Sequence, residues 1–368
     1  MAKRAAADNT VDDDAEELTV EGEQDEPEAL VTYEIASYPS DLTLWGIRDM
    51  WKQGDIVIPE FQRNFVWTVT QASLLIESFL LGLPVPQVFF YIDDQNKSLV
   101  IDGQQRIVSI VYFFDGYFGD ESTQGRRQVF RLTGLDERSP FAGKRFEDLD
   151  ETQQRKLKGS VLRAINIRQL SPKKENTSVY HIFERLNTGG TPLKAQEIRN
   201  CVFRGRFVTV LRELNKNTHW RKILGKKTFD KHQKDVELLL RIFALCDEGW
   251  IKYAKPMKEF LNVAMNTNKE ADSKRVKRLE ESFPKAVGIV IRQLGTKPFH
   301  IRGPLNSSAL DAVMCTIIDN LDDVPDDLDK RYRKLLEDKE FVDATYYGTS
   351  DTTVLHSRFK RAKSVLID

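Results

Sequence analysis

Apolar residues follow two different periods along this chain. Between residues 33 and 205, short apolar runs bounded by turn residues predict strands at 56–58, 87–92, 98–101, 128–132 and 161–168. Segments with apolar residues three and four positions apart lie between these runs, and one carries Ile107, Ile110, Val111 and Phe114 on one side. Strands and helices interspersed in this way predict a mixed α/β region.

After Arg204 the strand signals nearly vanish and the helical period continues. One amphipathic helix is marked by Val236, Leu239, Leu240 and Phe243, and similar patterns predict others near 256–266, 273–294, 307–320 and 354–365. The predicted fold class is therefore α+β, with a mixed α/β N-terminal domain and an all-helical C-terminal region. The predicted divisions are an acidic tail (1–32), the α/β domain (33–205) and the helical domain (206–368).

The first thirty residues differ in composition from the rest of the chain. They carry Lys3 and Arg4 against eleven acidic residues, so their formal charge is −9, whereas the remainder carries +8. Because this stretch has few large apolar side chains to offset its ordering entropy, we expect it to be disordered. A basic body with an acidic tail is compatible with nucleic-acid contact, and a solvated surface explains the charges equally well.

Composition and spacing exclude several classes of protein. No apolar run reaches the roughly 18–20 residues needed to cross a bilayer, and the chain does not begin with the apolar stretch of a secretory signal. Because Cys201, Cys246 and Cys315 lie far apart, neither a disulfide framework nor a Cys-based zinc site is expected. We therefore expect a cytoplasmic protein without a membrane partner.

Segment 98–110 has the sequence of a strand that turns at a glycine into a helix (SLVIDGQQRIVSI). The first N–H groups of such a helix lack intrahelical partners and lie at the positive end of its dipole, which suits a phosphate. Gly103 permits close approach to the backbone, and Arg106 adds a forked donor. Gln104 and Gln105 add uncharged donors, and Asp102 has the chemistry of a divalent-cation ligand. The structural alternative is that Asp102 caps the helix and Arg106 makes a surface ion pair.

Two further stretches carry polar residues between predicted elements. Gln62, Arg63 and Trp67 lie between a strand and a helix, where an arginine and an aromatic ring suit a phosphate and a base; the aromatic residues also suit core packing. Asn187 ends a helix just before Thr188-Gly189-Gly190, and it either caps that turn or points into a shared cleft. Spacing does not decide between these roles.

In this order, IPEFQRNFVW (58–67), VIDGQQRIVSI (100–110) and FERLNTGGTPL (183–193) resemble the N-terminal domain family of GmrSD-type, modification-dependent restriction systems. The resemblance covers residues 40–205 and implies a ParB/sulfiredoxin-like fold. It also implies that the Asp102–Arg106 motif binds or hydrolyses a nucleoside triphosphate, with Gln62-Arg63 beside it. Members of the family act in defence against phage and foreign DNA, often through a coupled nuclease.

The nuclease that longer members of this family carry is not expected here. Their C-terminal His-Asn-His domain has a His-Ile-x-Pro motif followed by Gly-Asn-Leu, whereas this chain has HIRGP at 300–304 and no Gly-Asn-Leu after it. Neither a GxSxG motif nor an HExxH spacing occurs in the sequence. We therefore interpret the chain as a stand-alone form of the N-terminal domain followed by a helical region.

These observations lead to two main hypotheses. In the first, the α/β domain binds and hydrolyses a nucleoside triphosphate with Mg²⁺, with Asp102 as the metal ligand and Asp102, Gln105 and Arg106 as the catalytic group. The nucleotide-binding residues would be Gln62, Arg63, Gly103, Gln104, Arg106 and Asn187. In the second, the domain is a ParB-like DNA-binding module without catalysis that recruits a separate nuclease or effector. Direct DNA cleavage at the same cluster is a third hypothesis.

Two basic runs in the helical region, 274–278 and 358–363, suit contact with a DNA backbone. Lys277 and Arg278 are the predicted DNA contacts. Both runs equally fit the exposed sides of amphipathic helices. The candidate partners are therefore a nucleoside triphosphate, DNA, a separate nuclease or effector protein, and further copies of this chain.

Overall fold

The computed structural model describes residues 17–21, 34–58, 65–119, 127–171, 178–186, 194–203 and 205–368. Two compact units are present: a sheet-containing unit over 32–193 with residues 200–202, and a helical unit of 194–199 and 203–368 that also includes the chain up to 31. The elements up to residue 186 are β1 (Val20–Glu21), β2 (Glu34–Thr43), α1 (Leu44–Gln53), β3 (Ile56–Val57), α2 (Val69–Leu81), β4 (Val88–Ile92), β5 (Ser98–Asp102), α3 (Gln104–Asp115), β6 (Tyr117–Phe118), β7 (Gln128–Val129), a 3-10 turn (Phe146–Asp148), α4 (Glu151–Gly159), β8 (Val161–Ser171) and α5 (Ser178–Leu186). They are followed by α6 (Ala195–Val202), α7 (Arg206–Asn215), α8 (Thr218–Leu224), α9 (Lys234–Leu245), α10 (Gly249–Lys252), α11 (Met257–Thr267), α12 (Lys274–Leu294), β9 (Leu305–Asn306), α13 (Ser307–Asp319), α14 (Leu328–Glu337), α15 (Lys339–Ala344) and α16 (Thr352–Leu366).

Five strands form one mixed sheet in the order β2-β8-β4-β5-β3. Strand β8 pairs antiparallel with β2 and parallel with β4, while β5 pairs antiparallel with β4 and parallel with β3. The central strands β4 and β5 are short apolar runs, VFFYI and SLVID, in which nearly every residue is buried. Such runs are typical of strands covered on both faces. The predicted mixed α/β architecture of this part of the chain is confirmed.

Helices α2 and α3 share one hydrophobic core with the sheet. Helix α3 buries Ile107, Ile110, Val111 and Phe114, the side that the periodicity predicted, and it also buries Phe113. The ring of Phe113 meets Phe130 edge to face, with ring centroids 5.2 Å apart. Because each fully buried side chain of this size stabilises the fold by about 1.5–3 kcal/mol, the core holds α3 firmly against β4 and β5. The position of its N-terminus is therefore fixed by packing.

Strand β2 is an element that hydrophobic periodicity does not predict. Its ten residues are all exposed or half-buried, and they include Pro39. The strand pairs with β8 along its length, from Glu34 opposite Ser171 to Thr43 opposite Val161. Backbone pairing with β8, rather than burial of an apolar face, therefore defines this edge strand.

The helical unit is built around α9 and α13. Every residue from Asp235 to Leu245 and from Ser307 to Ile318 is buried, as expected for helices surrounded by others. The five helices predicted from periodicity are found as α9, α11, α12, α13 and α16, so the mostly helical character of this region is confirmed. Among the helices that the structure describes, none has both the length and the apolar character needed to span a bilayer.

Part of the acidic N-terminal stretch contacts the helical unit. Strand β1 pairs in parallel with β9, with Val20 opposite Leu305. Leu18 is buried, and its backbone N–H donates to Oδ2 of Asp230 over 2.7 Å. Residues 17–21 are therefore ordered, whereas their composition predicted disorder. One buried leucine and a short backbone pairing are enough to order this segment, and composition does not reveal either contact. The other residues of the predicted tail lie outside the described ranges.

We expect Leu18→Ala to lower the stability of the helical unit by about 1–3 kcal/mol, since it removes a buried side chain. The thermal midpoint of the full chain should then fall by several degrees. Thr19→Ala is the matched control, because Thr19 is the exposed neighbour on the same segment. Equal midpoints for the two variants in differential scanning calorimetry would show that this segment does not dock in solution.

Candidate functional site

The strand-to-helix turn predicted at Asp102–Arg106 is present in the structure. Strand β5 ends at Asp102, helix α3 begins at Gln104, and Gly103 between them has a φ of +99°. A Cβ atom at position 103 would lie 2.2 Å from Cγ1 of Val88 in β4. Glycine is therefore required here by both the backbone conformation and the space.

The N-terminus of α3 has no side-chain cap. Gly103 is the N-cap residue, and the first intrahelical bond runs from the N–H of Ile107 to the carbonyl of Gly103 over 3.0 Å. The first turn contains no acidic residue. The amides of this turn therefore retain the partial positive charge that suits an anion. The alternative in which Asp102 caps the helix is wrong.

Arg106 is held by three groups of its own unit. Its Nη1 donates to the carbonyls of Pro86 over 2.6 Å and Gln87 over 2.8 Å, and its Nη2 donates to Oδ2 of Asp102 over 2.8 Å. The side chain is 14% exposed, against 46% for Asp102. The guanidinium therefore links the segment before β4 to the turn. The alternative hypothesis predicted only a surface ion pair for Arg106, whereas two backbone carbonyls bind it as well.

The Asp102 carboxylate has one oxygen engaged and one oxygen open. Oδ2 accepts from Arg106, whereas Oδ1 has no hydrogen bond to any of the described residues. Within the described ranges no three His, Cys, Asp or Glu side chains gather in a group that could hold a metal ion. A cation at Asp102 would therefore take its remaining ligands from phosphate oxygens and water, which is the usual coordination of Mg²⁺ in nucleotide sites.

Gln105 ties the residues just before α2 to the first turn of α3. Its Oε1 accepts the backbone N–H of Val66 over 3.0 Å and that of Trp67 over 3.1 Å. The predicted nucleotide contacts Gln62, Arg63 and Asn187 lie outside the described residues. Gln105, which was predicted to be catalytic, therefore positions Val66 and Trp67 through its Oε1. Its Nε2 takes no part in these two hydrogen bonds.

The backbone groups that position Arg106 and Gln105 were not among the predicted site residues. The carbonyls of Pro86 and Gln87 are contributed by the run LPVPQ at 83–87. Its two prolines restrict the backbone to an extended form and remove amide donors, so this run could have signalled a fixed segment with free carbonyls. The amides of Val66 and Trp67 carry no comparable sequence signal.

The predicted DNA contacts lie on α12 of the helical unit. Lys277 is exposed, and Arg278 is half-exposed and pairs with Asp247. Arg275 of the same run instead donates to three carbonyls at the C-terminal end of α9. Arg358 of the second run is fully buried. Each basic run therefore combines outward cations with an arginine that holds the unit together.

Comparison with known families covers the part of the chain that contains this turn. Residues 46–204 match the family described as the N-terminal domain of GmrSD restriction endonuclease. The matched segment includes all three motifs quoted above, and the residues after 204 lie outside it. No curated protein matched the chain. Residues 46–204 are therefore similar to the N-terminal domain of GmrSD restriction endonuclease.

Proposed function

We propose that this domain is the nucleoside-triphosphate-binding and hydrolysing module of a restriction-type defence system directed against DNA. The family description, which names a restriction endonuclease, supports the setting. The observation that carries the proposal is the uncapped N-terminus of α3 directly beside the open Oδ1 of Asp102. Together these offer a site for phosphate and a site for the cation that accompanies it.

Each residue of the turn has a proposed role that follows from its contacts. The amides of the first turn of α3 bind phosphate oxygens, and Asp102 holds Mg²⁺ through Oδ1. Arg106 keeps Asp102 in position and adds a fixed positive charge. Gln105 holds Val66 and Trp67, which follow Gln62 and Arg63 in the sequence, and its Nε2 is the group that would donate to a phosphate oxygen or to the attacking water.

Asp102→Asn is expected to abolish Mg²⁺-dependent release of phosphate, because the amide keeps an oxygen for Arg106 and loses the charge that the cation needs. The measurement is phosphate release from ATP and from GTP, with and without DNA. Asp115→Asn is the matched control: Asp115 ends the same helix and pairs with Arg48 and Lys52, both at 3.0 Å. Hydrolysis that survives in Asp102→Asn at the rate of the control would limit Asp102 to a structural role.

Gln105→Glu separates nucleotide binding from folding. A carboxylate still accepts from Val66 and Trp67, so the thermal midpoint should stay near that of the unmodified chain. The added negative charge lies next to the proposed phosphate site and should weaken nucleotide affinity by about tenfold, or 1.4 kcal/mol. Gln105→Ala should lower both quantities. Calorimetric titration giving unchanged affinity for Gln105→Glu would place the nucleotide elsewhere.

The second candidate function is DNA binding without hydrolysis, with recruitment of a separate nuclease or effector. The outward side chains of Lys277 and Arg278 favour it. DNA affinity should then fall steeply with salt, and replacing both residues with alanine should flatten the slope by up to about two units. That result, together with no detectable nucleotide binding, would favour this function over the first.

A further inference from the structure

A cavity of about 500 Å³ lies within the helical unit, and it is partly open to solvent. Residues between 247 and 363 line it, all of them outside the segment that matches the GmrSD family. They belong to the α9–α10 connection, α10, α12, the end of α13, and α16. This volume lies within the roughly 300–1,000 Å³ range of small-ligand pockets and is ample for one nucleoside.

A rigid aromatic ring forms one wall of the cavity. Trp250 stacks on Phe359 with ring centroids 5.5 Å apart and planes at 21°, and it meets His356 edge to face at 5.7 Å. Phe359 is buried, whereas Trp250 stays partly exposed and lines the open space. The indole is therefore held in place by its neighbours and can stack with a planar ligand.

The wall formed by the end of α13 presents hydrogen-bond acceptors. Asp319 receives the N–H of Asp247 at both carboxylate oxygens, each at 3.1 Å, which orients the group and leaves further lone pairs. Thr316 donates its hydroxyl to a helix carbonyl, and Asn320 donates its amide to the carbonyl of Thr316, so their side-chain oxygens still accept. Burial raises the pKa of Asp319 to about 6. A ligand that binds at this wall must therefore supply hydrogen-bond donors.

Cations lie where the cavity meets solvent. Arg278 and Lys363 both line it and are exposed, and Lys277 is the neighbour of Arg278 on α12. The ion pair with Asp247 restrains Arg278 beside the opening. Glu248 also lines the cavity and is exposed, so both signs of charge are present there. Arg278 and Lys363 are the groups that suit phosphates flanking a bound ligand.

We propose that this cavity binds a single amino-bearing base, namely guanine, adenine or cytosine, that is unpaired in or extruded from DNA. Trp250 stacks on the base, Asp319 accepts its amino N–H, and Arg278 and Lys363 contact the flanking phosphates. Thymine is disfavoured, because it has no amino group and its one ring donor, N3–H, lies between two carbonyl oxygens that would face the acceptor wall. The inference rests on the proposed DNA-directed function and is independent of nucleotide hydrolysis.

The test measures binding of the full chain to fluorescein-labelled short duplexes by anisotropy. Each duplex carries one unpaired guanine, adenine, cytosine or thymine, and a fully paired duplex is the reference. We expect the three amino-bearing bases to bind about tenfold more tightly than thymine, which is the size of effect expected for one hydrogen bond to a carboxylate. They should also exceed the paired reference by about tenfold or more, since stacking of the unpaired base contributes there as well. Trp250→Ala and Asp319→Asn should remove this preference and leave affinity for the paired duplex unchanged, while Trp250→Phe should keep most of it.

Phe229→Ala is the matched control, because Phe229 is a 53% exposed aromatic residue of the same unit that does not line the cavity. If Trp250→Ala fails to fold, Asp319→Asn and Trp250→Phe still decide the question. Equal affinity for all five duplexes, or no DNA binding at low salt, would overturn the proposal. So would Trp250-dependent binding of choline without any base preference, since the cavity would then take an organic cation.

Asp102→Asn is included in the same assay to separate the two proposals. A base preference that persists in Asp102→Asn supports the cavity whatever happens to hydrolysis. Conversely, nucleotide hydrolysis by a protein that shows no base preference retains the proposed function and removes the cavity site.

Discussion

Gly103→Ala is expected to destabilise the sheet-containing unit by about 2–5 kcal/mol, from backbone strain and overpacking together. The backbone at this position has a φ of +99°, which an L side chain rarely adopts. The new Cβ would also lie 2.2 Å from Cγ1 and 2.8 Å from Cβ of Val88. Val88 is fully buried in a central strand, so neither side can move without disturbing the core.

Gly116→Ala is the matched control for this substitution. Gly116 ends the same helix, its φ is +82°, and no atom lies within 4 Å of the position of its Cβ. It should therefore show the backbone strain alone, about 1–2 kcal/mol. Urea unfolding of both variants measures the difference. Adding Val88→Ala to Gly103→Ala should recover part of the lost free energy of unfolding, because it removes the atoms that the new Cβ would meet. If the losses of the two single variants simply add in the double variant, the clash is not the cause.

Asp311→Ala should destabilise the helical unit by about 3–5 kcal/mol, because it leaves buried positive charge without its counter-ion. Asp311 is inaccessible to solvent and accepts from Nε of Arg241 at 3.0 Å and from Nη2 at 2.6 Å. The fully buried Arg358 also depends on this carboxylate: burial lowers the pKa of Arg358 to about 10, and the charge of Asp311 opposes that shift. In the Asp311→Ala variant the guanidinium groups of Arg241 and Arg358 stay buried but lose this carboxylate.

Asp41→Asn is the control for Asp311→Ala. Asp41 pairs with Arg163 at 2.9 Å, yet both side chains are more than half exposed. Solvent screens such a pair, so this variant should leave stability nearly unchanged. Hydrogen exchange at the amides of α9 and α13 reports the helical unit separately from the sheet. Protection in Asp311→Ala equal to that of the control would mean that water reaches the Arg241 pair.

Hydrophobic periodicity alone located most elements of both units. It predicted a helix over 273–294, and α12 spans Lys274–Leu294; it predicted a strand over 98–101, and β5 spans Ser98–Asp102. Both elements bury a regular apolar pattern, so the pattern is sufficient. Strand β2 has no such pattern, and its existence depends on β8, more than a hundred residues later. Residues 17–21 are similar, since β9 supplies their partner strand.

The sequence by itself determined the turn, the glycine within it and the family resemblance of residues 46–204, because these depend on contiguous residues. The roles of individual side chains were decided by the tertiary structure. Arg106 bonds to carbonyls nineteen and twenty residues earlier, and Gln105 to amides thirty-eight and thirty-nine residues earlier. Arg358 is buried within a run that reads as a basic surface. A charged side chain can bind a ligand or satisfy its own backbone, and only the fold determines which acceptors lie within its reach.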